Sequence, residues 1–450
     1  MHLPTMKRFL LLLLIGNLGA MEAAAQGGGG SPYSAYGLGD MLATGQATQA
    51  MMGGTGLAIT EPYSVVTGNP AGYVSLARPV FDVGVSIRTT RSSSVEASST
   101  RKDARFTGFA IGVPFGAGKW GMAMGLTPFS EVDYAMVRAT EVEGYPVKYK
   151  YSGSGGLDKA FFGLGRNLYQ QRADSIGNMG MRVALGADFN FLFGSVEQTR
   201  EAEYPRDAGY NNVRAFSALV LRSPTAAASL IWQGDLTKKR DRDDDNWRWS
   251  VGLSASLPAE FRAKYNGTVT TYVETQGFET VRDTVAEEGH ARGSISVPAG
   301  IGLGLGVLNG RWAATVQMQR RNWGAAKMEV PGYVPAAPMR DAVTYAAALR
   351  FRPGGDGGLF KRTAYRLGIR HEQTAQEVRG QELTGSTISA GVSIPLNAVQ
   401  TNSWLNLGGE YGLRGTTDNG LLRERHAALW LGVSFTPWRG ERWFVPSKIQ

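Results

Sequence analysis

Asp241, Asp243 and Asp245 stand at alternate positions, the spacing that sets carboxylate oxygens at the start of a calcium loop. That loop also needs glycine at its sixth place and glutamate at its twelfth. Here those places hold Asn246 and Gly252, so the acidic run, flanked by Arg242 and Arg248, predicts a solvated turn. His371-Glu372 begins like a zinc-protease helix, but Ala375 stands where the second histidine would be. His290, His371 and His426 fall in separate predicted strands or loops without an obvious partner. No lysine precedes a serine or threonine, which excludes a phosphate-binding P-loop, and a G-x-S-x-G elbow is also missing. Gly300, Gly302, Gly304 and Gly306 recur every second residue, the period of a strand face and not of a dinucleotide fingerprint. Cysteine is absent, excluding disulfides, a thiol nucleophile, iron–sulfur clusters and cysteine zinc sites. The expectation is a protein that is not an enzyme, with no cofactor and no metal.

The elements that would carry any other function begin with an export signal. Lys7 and Arg8 precede the apolar run 9–15, and Ala23-Ala24-Ala25 closes the segment before Gln26. A charged start, a short apolar stretch and a small-residue cleavage site predict a Sec signal peptide over 1–25. Met6 is an alternative start. The run is short for a transmembrane anchor, and no cysteine follows that could carry a lipid. The exported chain keeps most of the net charge of +9, yet its basic residues are scattered and the compartment argues against nucleic acid. Cationic loops could instead face anionic lipopolysaccharide.

Mean hydropathy is only −0.19, which excludes a bundle of membrane helices. The 60 glycines among 450 residues are close to twice the usual ~7% and follow no collagen period. The body alternates instead. Phe81, Val83, Val85 and Ile87 interleave with Asp82, Gly84, Ser86 and Arg88. Ile301, Leu303, Leu305 and Val307 interleave with glycines, and Leu429, Leu431, Val433 and Phe435 with Ala428, Trp430, Gly432 and Ser434. Each such segment has one apolar face and one polar or small face, as a β-strand requires.

About fourteen strands can be counted after residue 79, including 119–130 as the third, 213–235 as the sixth and 247–257 as the seventh. Pro224 makes the sixth the least regular. Connections at 116–118, 308–310 and 396–402 are short, whereas 131–156, 195–212, 258–293 and 322–340 are long and polar. An even strand number with short inner turns and long outer loops predicts an all-β, antiparallel transmembrane barrel of about fourteen strands in place of a two-layer sandwich. Trp120, Trp247, Trp312 and Trp404 all stand near the start of strands rising from the inner side. They are read either as interfacial aromatics, with the ring in lipid and the N–H near water, or as core residues.

Residues 26–78 lack this alternation. They contain Ser31-Pro32-Tyr33-Ser34-Ala35-Tyr36-Gly37-Leu38-Gly39-Asp40, then Gly53-Gly54-Thr55-Gly56 and Asn69-Pro70-Ala71. With these stretches the chain resembles the FadL-type outer-membrane transporters of hydrophobic compounds, in a branch seen in Bacteroidota. The resemblance continues through 121–134, Gly155-Gly156-Leu157, Phe191-Leu192-Phe193-Gly194 and Arg442-Trp443-Phe444, and so covers most of the exported chain. It implies a hatch over 26–78 inside a barrel running from 79 to 450 with a short C-terminal tail. Asn69, Pro70 and Ala71 match the family's hatch motif, and Gly53, Gly54 and Gly56 give that backbone close approach. The motif is either a hinge that yields to ligand or a turn that holds the hatch to the wall. In relatives whose route is known, substrate leaves sideways through a gap made by a kink in the third strand. Pro128 and Phe129 fall in that strand here and mark either such a kink or the strand's end.

Two functions follow as expectations, both in the outer membrane of a Gram-negative bacterium among lipid and lipopolysaccharide. One is passive uptake of a hydrophobic or amphipathic small molecule, captured at the loops and released past the hatch. The other is a non-transporting partner subunit of a protein secretion (type IX-like) or assembly complex. A continuous apolar channel with a wall gap beside Pro128 would favour the first; a sealed, polar-filled lumen would favour the second.

Overall fold

The computed structural model describes residues 30–437, except 43–44, 173, 176–177, 239–240, 242–244, 276, 334–338, 355–357 and 397–402. The proposed signal peptide and Arg442-Trp443-Phe444 lie outside the described residues, as does part of the 241–245 acidic run. A two-residue strand, β1 (Asp40–Met41), comes first. The wall then opens with β2 (Val80–Ser93), β3 (Ser98–Phe115), β4 (Trp120–Val142), β5 (Tyr145–Gln170), β6 (Arg182–Glu203) and β7 (Asn212–Asp235). Next come β8 (Arg248–Ser256), β9 (Ala259–Thr275), β10 (Phe278–Val297), β11 (Gly300–Leu308), β12 (Trp312–Arg321) and the short β13 (Met328–Glu329). The last five are β14 (Ala342–Phe351), β15 (Ala364–Val378), β16 (Gln381–Pro395), β17 (Trp404–Arg414) and β18 (Arg423–Phe435).

Antiparallel pairing runs round the wall and closes where β18 meets β2, with Phe435 opposite Phe81. β8 with β9, and β10 with β11, each make one interrupted wall strand, which gives a closed fourteen-stranded barrel. The apolar strand faces point outward. Ile301 is 65% and Leu429 69% exposed, which a soluble sandwich would not tolerate on every strand and a bilayer requires. Aromatic pairs ring the end at which β2 begins and β18 ends: Phe115–Trp120, Trp232–Trp249, Trp312–Phe351 and Phe81–Phe435. Such a girdle marks a membrane–water boundary.

The far end differs from the expectation of long loops. Residues 131–156 continue β4 and β5 to a two-residue turn at Glu143-Gly144, where both φ values are positive. Residues 195–203 likewise extend β6, and most of 258–293 forms β9 and β10, while β7 keeps nearly the bounds expected of the sixth strand. Val, Thr and Tyr are frequent in these stretches, and their β preference outweighs the polarity that suggested loops. Of the four expected loops, 322–340 is largely irregular in its described residues, which pack Trp323 and Val330 into an apolar cluster with Leu192, Leu219, Phe261 and Ile295 across the distal lumen.

Candidate functional site: the lumen and its wall

The inward strand faces are polar or small, and residues 30–78 lie against them. A Cβ on Gly252 would stand 2.0 Å from the Leu57 carbonyl oxygen, and one on Gly368 would stand 2.2 Å from the Gly53 nitrogen. At these two glycines backbone touches backbone, whereas in the period-two run Gly302 and Gly304 leave room for the Leu57 side chain and Gly306 for that of Ala58. Side chains complete the attachment. Gln317 accepts from the amides of Gly56 and Leu57 at 3.0 Å, Ser250 donates to Ala58 O, and Asp82 accepts from Val65 N.

Asn69 joins the two motifs of this segment. Its amide donates to Gly56 O at 2.7 Å and Leu57 O at 3.0 Å, and its side-chain oxygen accepts from Ser229 on β7. The Ala71 amide in turn donates to Ser229 Oγ at 2.8 Å, and Pro70 opens a short 3-10 helix, Pro70–Ser75, where its missing N–H costs nothing. Gly53, at φ +61, places its amide on Ser389 Oγ. Gly54, at φ +86, turns the chain towards Gly56. Asn69 is buried and fully hydrogen-bonded, a geometry suited to a fixed anchor.

Glu61 adds an ionic link. It faces Arg350 on β14 at 3.0 Å and Arg366 on β15 at 3.2 Å. Burial pushes its carboxyl up, but the guanidinium groups of Arg350, Arg366 and Arg352 prevail and hold it at about 2. A second charged layer lies further out. Arg414 binds Asp40 and Glu424, Arg88 binds Glu410, and Arg105 binds Asp103 and Glu131, around a cavity of about 80 Å³.

The wall beside Pro128 is unusual. β3 and β4 pair only from Phe115–Trp120 up to Phe109–Leu126; beyond that their main chains part. On its other side β4 stays paired with β5 through a bulge between Pro128 and Ser130. The extra residue, Phe129, accepts from Leu42 N at 3.0 Å, and β1 pairs with Glu131 and Ser130. The N-terminal segment therefore occupies the separation, and the Arg105–Glu131 ion pair crosses it. A larger cavity of about 340 Å³ lies deeper, bordered by Met41, Leu42, Phe129, Lys159, Gln317 and Arg321 among others.

Trp120 and Trp312 sit in the aromatic girdle, and Trp247 is exposed just before β8. Trp404 departs from its expected place. It shares the inward face of β17 with Asn406, stacks on Tyr63 of the N-terminal segment and lies under Arg352. Strand-start position alone does not tell the two faces apart; parity against a known inward residue does. Trp232, Trp249 and the Glu61–arginine cluster went unnoticed in the sequence. Parity could have found the two tryptophans, but the cluster joins residues almost 300 positions apart.

These features define a class: a closed fourteen-stranded antiparallel β-barrel with an apolar outer face and an aromatic girdle, suited to crossing a membrane. Two solved structures share its fold. The CymD monoaromatic hydrocarbon channel matches with a TM-score of 0.52 at 11% identity, over 90% of this chain and 100% of that one. The toluene transporter TodX of Pseudomonas putida matches with a TM-score of 0.51 at 15% identity, over 88% and 98%. A search of curated proteins gave no match. The family model described as BamG matches residues 6–450, and the chain belongs to the BamG family.

Proposed function

We propose that this barrel is a non-transporting partner subunit of an outer-membrane protein assembly complex, reached by Sec export and cleavage after residue 25. The observation that carries this reading is the filled lumen. Residues 30–78, acting as a hatch, are fixed to the wall by Glu61, Asn69 and close glycine contacts, and the wall separation beside Pro128 is filled by β1. A route for apolar cargo would need an apolar lining, whereas the charged layer of Arg88, Arg105 and Arg414 with their carboxylates would have to be desolvated or displaced. The assembly-related character of the BamG family agrees with it. In this reading Asn69-Pro70-Ala71 is an anchor and not a hinge. Purification from native outer membranes should recover the barrel in fixed stoichiometry with assembly proteins. Recovery of the barrel alone, together with uptake of a hydrophobic compound by liposomes that contain it, would overturn the proposal.

One observation favours passive uptake of hydrophobic compounds as a second reading. The β3–β4 main-chain separation at Pro128-Phe129 is a ready-made side exit once β1 leaves it, and CymD and TodX are by name hydrocarbon and toluene channels. Deleting residues 30–42 should then raise uptake of toluene into such liposomes.

A further inference from the structure

The strands that close the barrel carry cations on their outer face. On β2 the residues in step with Phe81, Val83, Val85 and Ile87 continue as Thr89 and Arg91. On β18 those in step with Phe435 and Leu429 continue as Ala427, Arg425 and Arg423. Arg91 pairs directly with Arg425, and Arg423 lies diagonally beyond it, opposite Ser93. On the other side of β2, Thr89 pairs with Lys102 of β3, which shares its face with exposed Phe106. Arg91 therefore has one cation directly opposite, about 5 Å away at Cβ, and two on diagonals of about 7–8 Å. All four side chains are exposed. Like charges set opposite one another on a sheet destabilise it, so the row is costly unless an anion covers it.

The carboxylates next to these cations in the chain point the other way. Asp103 is held by Arg105 and Glu424 by Arg414, on the lumen side of the wall. The outward faces of β2, β3 and β18 hold no carboxylate from end to end. Among the described residues, none of the four cations has a carboxylate within 4 Å; Arg91 reaches Ser98 Oγ at 3.4 Å. Other distal cations do have such partners, as in Arg320–Asp341, Arg340–Glu382 and Arg214–Glu201. A second row, Arg222, Arg262, Lys264 and Arg292, stands on β7, β9 and β10, but there Glu260 shares the face. Height supplies the next clue. Arg91 is ten residues from Phe81, and Arg425 ten from Phe435, its girdle partner. At about 2.6 Å of height per tilted residue, the row stands roughly 26 Å above the girdle, at the outer edge of a ~25 Å apolar band. Beneath it Ile87, Leu429 and Phe106 are exposed, and Ala104 and Ala427 leave the surface low between them.

We propose that Arg91, Lys102, Arg423 and Arg425 bind the phosphorylated diglucosamine head of lipid A in the outer leaflet, with its acyl chains on Ile87, Phe106 and Leu429. Three observations choose this occupant. The row lies at headgroup depth, below the hairpin tips; the face beneath it is apolar, as acyl chains require; and it spans three strands, about 10 Å, which is wider than one phosphodiester. The bound phosphate removes the repulsion between Arg91 and Arg425, and so stabilises the place where β18 closes on β2. The proposal does not rest on the partner-subunit reading, because a sealed accessory barrel and a transporter both stand in lipid.

The test is native mass spectrometry of the full-length barrel in detergent, titrated with three probes: lipid A, lipid A stripped of its phosphates, and dioleoyl phosphatidylglycerol. Wild type should bind lipid A at least about tenfold more tightly than either of the others. Arg91→Gln with Arg425→Gln should lower the affinity for lipid A about thirtyfold, the loss of two cations at a charged lipid surface. Arg320→Gln, at a distal cation that has its own carboxylate, should change it less than about twofold. Unfolding temperature gives a second arm in which the signs oppose. Without lipid the double variant should be more stable than wild type, because the like-charge contact is gone; with lipid A it should gain less. Equal binding of dephosphorylated lipid A or of phosphatidylglycerol by the wild type would overturn the lipid A site. Unchanged affinity in the double variant would do the same.

Discussion

Replacing Glu61 by glutamine tests whether ionic contacts hold the N-terminal segment inside the barrel. The change keeps the shape of the side chain but leaves Arg350 and Arg366, both largely buried, without their carboxylate. The carboxyl is held at about 2 against an ordinary 4.5, a difference worth about 3 kcal/mol at neutral pH. Breaking a buried pair by removing one partner costs a similar ~3–5 kcal/mol. At about 1.4 kcal/mol per decade, local opening should become roughly 100-fold more frequent. Hydrogen exchange of the purified barrel reads this directly. Amides of Met51, Gly53 and Leu57 should lose about two decades of protection, and the β16–β17 ladder should lose none. Arg366→Gln in the same chain should return part of the loss, because one stranded charge disappears with it. The wild-type protein offers a second arm through pH. Its folded value lies below the ordinary one, so the stabilisation is complete above about pH 4.5, declines as pH falls, and is gone near 2. Protection in Glu61→Gln should be independent of this titration. Exchange that stays within threefold of wild type at neutral pH would refute the ionic anchoring.

Other consequences follow from the close contacts and from the girdle. Gly252→Ala places a methyl group 2.0 Å from Leu57 O, so the segment must move; we expect a cost of at least ~1–3 kcal/mol, seen as faster exchange at Leu57 and Ala58 and a lower unfolding temperature. Asn69→Ala leaves the carbonyls of Gly56 and Leu57 and the Ser229 hydroxyl without their partner, at about 1–3 kcal/mol, and should loosen 53–58 together with 69–75. In single-tryptophan variants, lipids brominated on the chain should quench Trp312 and Trp249 strongly and Trp404 little, since only Trp404 faces the lumen.

The barrel was legible because its signal is local. Alternation at 301–307 or 429–435 states which residues share a face, and strand number and turn spacing then leave few architectures. The glycine and Asn-Pro-Ala stretches were also legible as irregular backbone needing close approach. Which face of β17 would carry Trp404 was not, because a one-residue change in parity exchanges lumen for membrane. The extensions of β4, β5 and β6 and the hairpin of β9 and β10 were misread for a related reason: polar strands beyond a membrane look like loops when only the apolar face is counted.

By itself, the amino-acid sequence determined an antiparallel barrel, its strand number and a distinct N-terminal segment, since all three depend on periodicities and short motifs along the chain. Tertiary structure alone decided how the lumen is filled. Glu61 meets Arg350 and Arg366, Asn69 meets Ser229, and β1 enters the β3–β4 separation. Each of these pairs residues from different strands or from strand and plug. Their meeting depends on register and closure, which chain periodicity does not encode.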